Sequence, residues 1–203
     1  MTTPSEALEL ASWRRAVAEL YAQVRASAEP AAAHERWRLR RDELFTTHPQ
    51  SPLEGTDPLR RSGLPYWPYD PSLRLTAPLM PPEKPDECRI ETSGDGVITM
   101  RLIGSVTLPD PIERTVDVWW LHQYAGGVFL PLRDATAGRE SYGAGRYLLD
   151  TAKGADLGAT HGSLTLDLNF LYHPSCRYNP RWECPLAPAG DTIDVRVEAG
   201  ERL

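Results

Sequence analysis

Cysteine is scarce in this chain, which has only three among its 203 residues. So few cannot build the disulfide framework of a small secreted domain. No apolar run approaches the roughly 18 residues needed to span a bilayer. The opening residues, Met-Thr-Thr-Pro-Ser-Glu, lack the basic and apolar regions of a signal peptide. We therefore expect a cytoplasmic protein without a membrane partner.

Basic residues are also in short supply, since the net charge is −6. The first 45 residues carry seven basic and seven acidic side chains, so the acidic surplus lies in the remainder. Because no basic stripe is present to neutralise phosphates, we expect no nucleic-acid partner. The hydrophobic (41%) and charged (25%) fractions are near globular averages, and the length suits one domain spanning residues 1–203. The sequence leaves the oligomeric state open.

The standard catalytic signatures are missing as well. The chain has no Walker-type phosphate loop, no complete dinucleotide-binding fingerprint, no nucleophile elbow and no zincin helix. Gly143-Ala-Gly145 lacks the third glycine of the dinucleotide motif and is better explained as a tight turn. We expect no cofactor, and the sequence leaves open whether the protein is an enzyme.

What is present begins with two predicted helices in residues 1–48. Thr3, Pro4 and Glu6 occupy the N-cap, first-turn and capping-box positions of the first helix. Apolar residues then recur at three- and four-residue spacing, which is typical of an amphipathic helix: Leu10, Trp13, Val17, Leu20 and Val24. A second helix is predicted over residues 30–45, and His48-Pro49 ends it because the residue before proline avoids the helical region.

Residues 49–87 are rich in proline, with nine prolines in positions 51–87. Proline has no backbone donor for a regular ladder, so this segment is predicted to be extended and irregular. One interpretation is a flexible linker between domains. The aromatic residues Tyr66, Trp67 and Tyr69, together with Leu64, favour instead a strap packed on the core.

Residues 88–203 form a predicted β-rich body. Period-two alternation over 98–108, and at Val116, Val118 and Trp120, is typical of half-buried strands, and Gly126-Gly127 predicts a hairpin. Further strands are predicted over 128–132, 147–150, 164–173 and 193–198. Two helices followed by about seven short strands predict an α+β protein with a mainly antiparallel sheet, curled into a barrel-like or sandwich form.

The predicted strand over 164–173 carries a candidate site. Its leucines share one face, whereas Asp167, Asn169 and His173 share the other, with neighbours on that face roughly 6.6 Å apart. One hypothesis is a small-molecule site in which Arg146 holds an anionic group and Asp167 orients Arg146 or acts as a general base. Tyr142, Asn169 and Tyr178 would add hydrogen bonds to the ligand. The alternative is a solvated outer face.

The cysteines admit several interpretations. His173, Cys176 and Cys184 supply zinc-type donors in one proline-rich loop, but their spacing matches no standard zinc site. An activated thiol with His173 as its base is another alternative. We favour a close structural pair of Cys176 and Cys184, either reduced or bonded, and we expect Cys88 to stand apart as a lone core residue.

Several segments in fixed order resemble a known family. They are Ser51-Pro-Leu, Gly63-Leu-Pro-Tyr-Trp-Pro-Tyr-Asp, Arg139-Glu-Ser-Tyr-Gly-Ala-Gly-Arg-Tyr-Leu, Leu166-Asp-Leu-Asn-Phe, Cys184-Pro-Leu-Ala-Pro and Glu198-Ala-Gly-Glu. From about Trp37 to the C-terminus the chain resembles the bacterial family called domain of unknown function (DUF) 1684.

The resemblance implies a shared fold and a shared polar site, but no activity. The residues that it implies for the site are Glu140, Tyr142, Arg146, Asp167, Asn169, Cys176 and Cys184. One position departs from the family pattern, which typically has asparagine where this chain has His173. That departure weakens any mechanism in which His173 serves as a shared base or ligand.

Three functional hypotheses follow. The first is a small-molecule site around Arg146, Asp167 and Asn169. The second is a non-catalytic interaction module in which these residues and Glu140 form a buried polar network. The third is a metal-binding protein that uses His173, Cys176 and Cys184. An open concave pocket beside Arg146 would distinguish the first from the second.

Overall fold

The computed structural model describes residues 3–84, 86–94, 96–122, 124 and 126–203. Helix α1 begins with the predicted capping box: the Thr3 hydroxyl accepts from the Glu6 backbone N–H, and the Glu6 carboxylate accepts from the Thr3 backbone N–H. Helix α2 begins after a three-residue connection and ends at Thr47, with His48 as its C-cap directly before Pro49. The helices therefore begin and end where local sequence signals place them.

The helices are α1 (Pro4–Ala26), α2 (Pro30–Thr47) and α3 (Leu59–Ser62). The strands are β1 (Arg74–Pro78), β2 (Glu87–Glu91), β3 (Val97–Thr107), β4 (Thr115–Leu121), β5 (Val128–Leu132), β6 (Arg146–Asp150), β7 (Ala159–Thr160) and β8 (Ser163–Asp167). Short 3₁₀ turns lie at Pro71–Leu73, Thr151–Lys153, Leu168–Phe170, Ser175–Arg177 and Ala189–Asp191.

The strands form two antiparallel sheets, one with the order β2-β3-β4-β5-β6 and one with the order β1-β8-β7. The predicted α+β class with mainly antiparallel strands is confirmed. Over the described residues neither sheet closes on itself, so the sandwich form of the prediction fits and the barrel form does not. No helix in this part of the chain is long and apolar enough to cross a membrane.

Apolar side chains cover both faces of the five-stranded sheet. The larger core joins residues from both long helices, the proline-rich segment and both sheets, and it includes Val116 and Val118. A smaller cluster on the other face includes Trp119 and Leu121. The prediction that Trp120 points inward with Val116 and Val118 is therefore wrong: Trp120 is 37% exposed, whereas Trp119 is 3% exposed.

The proline-rich segment packs on the core and is more ordered than predicted. Trp67 is buried in it, as is Trp37 in α2, while Trp13 is partly buried against the same core. The segment also contributes β1, which pairs with β8 through the register Leu75↔Leu166. It is therefore not irregular throughout, because one part completes a sheet.

Two predicted strands differ from the structure. Strand β8 ends at Asp167, whose carboxylate accepts from the Asn169 backbone N–H and starts a 3₁₀ turn at Leu168–Phe170. The alternation expected through His173 is lost there, and residues on both faces are buried. Residues 193–198 form no strand, because their backbone contacts with Arg133 and Ala135 are isolated.

Candidate functional site

Arg146 lies at the start of β6, where all five residues are buried. The chain reaches it through Gly145, where φ is +94° and the Cβ of any other residue would lie 2.8 Å from the Leu132 carbonyl oxygen. The Arg146 guanidinium donates to the carbonyls of Val197, Ala199 and Glu201, and to Asp134 Oδ1 at 3.1 Å. The predicted contact between Arg146 and Asp167 is therefore wrong, since the partner of Arg146 is Asp134.

Both carboxylate oxygens of Asp134 are hydrogen-bonded, whereas Arg146 Nε has no partner among the described residues. Its Oδ2 accepts from the backbone N–H groups of Thr136 (3.1 Å) and Val197 (2.7 Å), and its Oδ1 also accepts from the Thr136 hydroxyl (2.9 Å). Trp67 covers the guanidinium, with 5.0 Å from Cζ to the ring centroid. This arrangement ties the turn after β5 to the end of the chain, and Arg146 is buried in a polar network with Asp134 and not with Glu140, Asp167 or Asn169.

Asp167 and Asn169 form a separate cluster with the proline-rich segment. Asp167 accepts from Asn169 Nδ2 (2.7 Å) and from the Tyr69 hydroxyl (3.1 Å). Asn169 in turn exchanges two hydrogen bonds of 2.8 Å with the backbone of Asp70. Burial raises the pKa of Asp167, and the hydrogen bonds from Asn169 oppose that rise. Asp167 also borders an open cavity of about 320 Å³ beside Arg25 and Arg74.

Glu201 is the centre of a third polar cluster and is wholly buried. Its carboxylate accepts from Arg41 Nη2 (2.8 Å), from the His173 backbone N–H (2.9 Å) and from the Tyr178 hydroxyl. Gly200 allows this approach, because at its φ of +72° a side chain would meet the Leu171 carbonyl oxygen at 2.3 Å. Burial raises the pKa of Glu201, while Arg41 opposes the rise.

His173 is held between this carboxylate and the turn before β6. Its Nε2 accepts from the Tyr142 backbone N–H at 3.1 Å, so the ring hydrogen is on Nδ1, which lies 3.7 Å from Glu201 Oε1. Burial keeps the pKa of His173 well below its ordinary value, so the ring is neutral. Because its free lone pair is already used, His173 cannot act as the base for a cysteine.

Cys176 packs against the small apolar cluster that includes Cys184, as Cys88 does, and all three thiols are free. The Cys176 thiol contacts the Tyr142 hydroxyl oxygen, with 3.9 Å between Sγ and that oxygen. Cys88 lies on the edge strand β2 and is half-buried, so it is less enclosed than the predicted core residue. Within the described residues no group of three or more histidines, cysteines or carboxylates could hold a metal ion, so the proposed zinc ligands do not form such a cluster.

A cavity of about 70 Å³, called here the inner chamber, lies between the helices, β6 and the Tyr172–Ser175 segment. Its polar lining includes Tyr21, Arg41, Asp150, Lys153, Tyr172 and His173. It adjoins an outer chamber of about 210 Å³, and Trp13, Lys153, Ser175 and Cys184 line both.

Two buried polar atoms at the inner chamber have no hydrogen-bond partner among the described residues: Asp150 Oδ1 and the Tyr21 hydroxyl. The other carboxylate oxygen of Asp150 lies 3.5 Å from Lys153 Nζ. Burial raises the pKa of the Tyr21 hydroxyl and the charge of Arg41 opposes the rise, while the hydroxyl hydrogen has no acceptor among the described residues. The Trp37 indole N–H is likewise unpartnered. The chamber thus offers one free acceptor and one free donor.

The residues predicted for one site are thus divided among four places. Tyr142, His173, Cys176, Tyr178 and Cys184 lie around Glu201 and the chambers. Arg146 belongs to the Asp134 network, and Asp167 and Asn169 belong to the Tyr69 cluster. Glu140 is exposed and pairs with Arg196 at 2.6 Å.

Sequence reasoning missed the chamber residues Tyr21, Arg41, Asp150 and Tyr172, as well as Glu201. Arg41 and Glu201 are 160 positions apart, so no local spacing connects them. The one available signal was Glu198-Ala-Gly-Glu201, which contributed to the family resemblance without indicating a role.

Comparisons with known proteins agree with the family resemblance. No curated protein matches the chain. A solved structure does: the solution NMR structure of an uncharacterised protein of Haloarcula marismortui is 30% identical, with a TM-score of 0.58, over 82% of this chain and 90% of that one. The model of the family described as "Protein of unknown function (DUF1684)" matches residues 61–202, which is well over half of the chain. The chain therefore belongs to the DUF1684 family.

Proposed function

We propose that this protein binds a small polar molecule in the inner chamber, with any larger part of the molecule extending into the outer chamber. The supporting observation is the pair of unpartnered atoms, Asp150 Oδ1 and the Tyr21 hydroxyl, on side chains that are each 2% exposed. Buried polar groups in native proteins are nearly always hydrogen-bonded, because leaving one unpaired costs about 1–3 kcal/mol. A bound molecule that satisfies both atoms would remove this cost.

The charges around the chamber define the ligand further. Arg41 is paired with Glu201, and Lys153 lies near Asp150, so both cations already have carboxylate partners. A simple anion would therefore gain less binding free energy here than beside an arginine that has no carboxylate partner. The best match is a molecule with a donor for Asp150 and an acceptor for Tyr21, such as a hydroxyl, amide or amino compound.

The size of the chambers sets the shape of the ligand. A cavity that holds benzene has a volume of about 150 Å³. The inner chamber, at about 70 Å³, is smaller and suits a head group of a few non-hydrogen atoms. The outer chamber, at about 210 Å³, has room for a larger remainder beside Trp13 and Trp182. This two-part shape favours a compact polar head with a less polar extension.

This proposal moves the small-molecule site away from Arg146, Asp167 and Asn169. Those residues already have protein partners, and the guanidinium of Arg146 is enclosed. Their contribution is structural: the Arg146–Asp134 network fixes the final segment, and that segment delivers the Glu201 carboxylate to Arg41. A purely structural role for the whole protein is the competing hypothesis, and it requires no chamber ligand.

The test uses glycerol, lactate, glycine and acetamide as separate probes, each observed by amide chemical-shift changes in the isotope-labelled protein. We expect at least one probe to shift amides around Asp150 and Ala155. Tyr21→Phe should weaken that binding by about tenfold, the effect of one hydrogen bond of roughly 1.4 kcal/mol. Tyr69→Phe is the matched control, because its hydroxyl contacts Asp167 instead of the chamber.

Asp150→Asn provides the second arm, since it replaces the free acceptor oxygen with a group that can donate. This substitution should weaken the binding of probes that donate a hydrogen bond, and it should leave the fold around the chamber intact. The proposal is wrong if no probe, and no compound extracted from the purified protein, shifts these amides. It is also wrong if Tyr21→Phe binds a shifting probe as tightly as the unaltered protein does.

A further inference from the structure

The open cavity of about 320 Å³ beside Asp167, called here the arginine cavity, lies where the end of α1 and the start of α2 meet the three-stranded sheet. Among the described residues, none that lines it also lines a chamber. Its volume falls in the range of about 300–1,000 Å³ that is typical of small-molecule sites. The lining combines an apolar wall with polar side chains: Val24, Leu157 and Phe170 on the one hand, Arg25, Arg74 and Thr165 on the other.

Arg25, near the end of α1, is held in place by one of its nitrogens. Nη1 donates to the Asp156 carbonyl (2.6 Å) and lies 3.3 Å from Asp156 Oδ2. The side chain passes close to Gly158, where a Cβ would lie 3.4 Å from Arg25 Cδ. Within the described part of the chain its Nε and Nη2 groups make no hydrogen bond, so Arg25 is fixed in position and still has donors to offer.

Arg74, at the start of β1, is only loosely paired. It stands opposite Asp167 in the register of β1 and β8. Its Nε lies 3.9 Å from Asp167 Oδ2, which is too far for a hydrogen bond. The side chain is 43% exposed. Because Arg74 makes no hydrogen bond to any other described residue, its guanidinium donors are available to a ligand in the cavity.

The carboxylates near these arginines are withdrawn from the cavity. Asp156 is not part of the lining, and Asp167 is 2% exposed, with hydrogen bonds from the Tyr69 hydroxyl and from Asn169 Nδ2. Burial also raises the pKa of Asp167, which weakens its negative charge. A ligand therefore meets the guanidinium groups before it meets either carboxylate. The carboxylates behind them favour a ligand with a single negative charge over phosphate.

We propose that the arginine cavity binds a small organic acid whose carboxylate lies on Arg74, assisted by Arg25, and whose apolar part lies against Leu157 and Phe170. A planar guanidinium matches a carboxylate through two parallel hydrogen bonds. The cavity has roughly twice the volume of one that holds benzene, so an aromatic ring or a short alkyl chain fits beside the carboxylate. This proposal does not depend on a ligand in the chambers.

The experiment titrates the isotope-labelled protein with benzoate and with hexanoate and follows the amide chemical shifts. We expect at least one of them to shift the amides of Gly158 and Thr165. Benzamide has the ring without the charge, and acetate has the charge without an apolar part, so each should bind about tenfold more weakly. Added sodium chloride should also weaken the binding of the acid, because salt screens exposed charges.

Arg74→Gln should weaken the binding of the acid by about tenfold, because it removes the charge and the paired donors while keeping a polar side chain of similar shape. Arg114→Gln is the matched control, since Arg114 is an exposed arginine that pairs with Asp194 and does not line the cavity. The control should bind the acid as the unaltered protein does. Urea unfolding of both variants checks that neither substitution has changed the fold.

Three results would overturn the proposal. The first is that neither benzoate nor hexanoate shifts the amides of the cavity lining. The second is that benzamide binds there as tightly as benzoate, because the charge would then not be recognised. The third is that Arg74→Gln binds the acid as tightly as the unaltered protein. Should Arg74→Gln fail to fold, Arg25→Gln and the salt dependence decide, and binding that neither of them weakens would contradict the proposal.

Discussion

Arg146 and Asp134 form an ion pair in which both side chains are buried, with Nη2 3.1 Å from Oδ1. Both residues also bind Val197: Asp134 accepts from its N–H, and Arg146 donates to its carbonyl. The pair therefore holds the last segment of the chain in place without a β-strand. Since Glu201 lies four residues after Val197, the same pair positions the carboxylate that binds Arg41.

Arg146→Ala should destabilise the protein by roughly 3–5 kcal/mol, because it leaves the Asp134 carboxylate buried without its cation. Urea unfolding followed by circular dichroism measures this change. The matched control is Arg196→Ala, which removes an exposed arginine paired with Glu140 and Glu198 and should cost less than about 1 kcal/mol. Equal effects of the two substitutions would contradict the structural role assigned to Arg146.

His173→Asn should be tolerated much better than His173→Leu. An asparagine amide can accept from the Tyr142 N–H with its oxygen and donate towards Glu201 with its nitrogen, replacing both imidazole contacts. Leucine does neither, so the Tyr142 N–H loses its acceptor and one oxygen of the Glu201 carboxylate loses its contact with the imidazole. The expected cost in stability is about 1–3 kcal/mol. Thermal and urea unfolding of both variants measure the difference. If both variants were equally destabilised, these polar contacts would not be what His173 contributes.

The buried carboxyl group of Asp191 should make stability depend on pH. One oxygen accepts from the Trp119 indole N–H (2.7 Å), and burial, reinforced by Asp117, raises the pKa to about 8. The folded state thus binds a proton that the unfolded chain releases above about pH 4. The stabilisation of the folded state that comes from this bound proton is fully present below about pH 4. It declines as the pH rises and is lost as the pH passes about 8.

Asp191→Asn removes this titration, so its stability relative to the unaltered protein should rise between about pH 5 and pH 8, by up to about 1.4 kcal/mol per pH unit. Urea unfolding at several pH values measures this trend. Asp194→Asn is the control, because Asp194 is exposed and paired with Arg114. A relative stability of Asp191→Asn that did not change with pH would show that Asp191 is ionised in the folded protein.

Limited proteolysis should show that the chain folds as a single domain. The larger core contains Trp37 from α2, Leu64 from the proline-rich segment and Leu148 from β6, so removing any one part exposes the others. We expect no stable fragment that begins near residue 88. Trypsin digestion followed by mass spectrometry measures this outcome, and a folded fragment covering residues 88–203 would instead indicate two domains.

Sequence alone determined the features that depend on neighbouring residues. The capping box at Thr3 and Glu6 and the stop at His48-Pro49 are set within a few positions, so both long helices could be predicted. Alternation over residues 98–108 likewise predicted β3, and six short segments indicated the family. The close pair of Cys176 and Cys184, inferred from the prolines between and before them, stays a prediction.

Tertiary structure decided the partners. Arg146 was matched with Asp167 by closeness in sequence, but Asp134 is the carboxylate that the β5–β6 pairing brings to it. Strand β8 was predicted too long because the pattern does not show that the Asp167 side chain binds its own backbone and ends the strand. Trp119 is buried although it lies on the face opposite Val116 and Val118, because apolar residues cover that face as well. The site itself combines α1, α2, β6 and the C-terminal end, and only folding brings together groups such as Arg41 and Glu201 that are 160 residues apart.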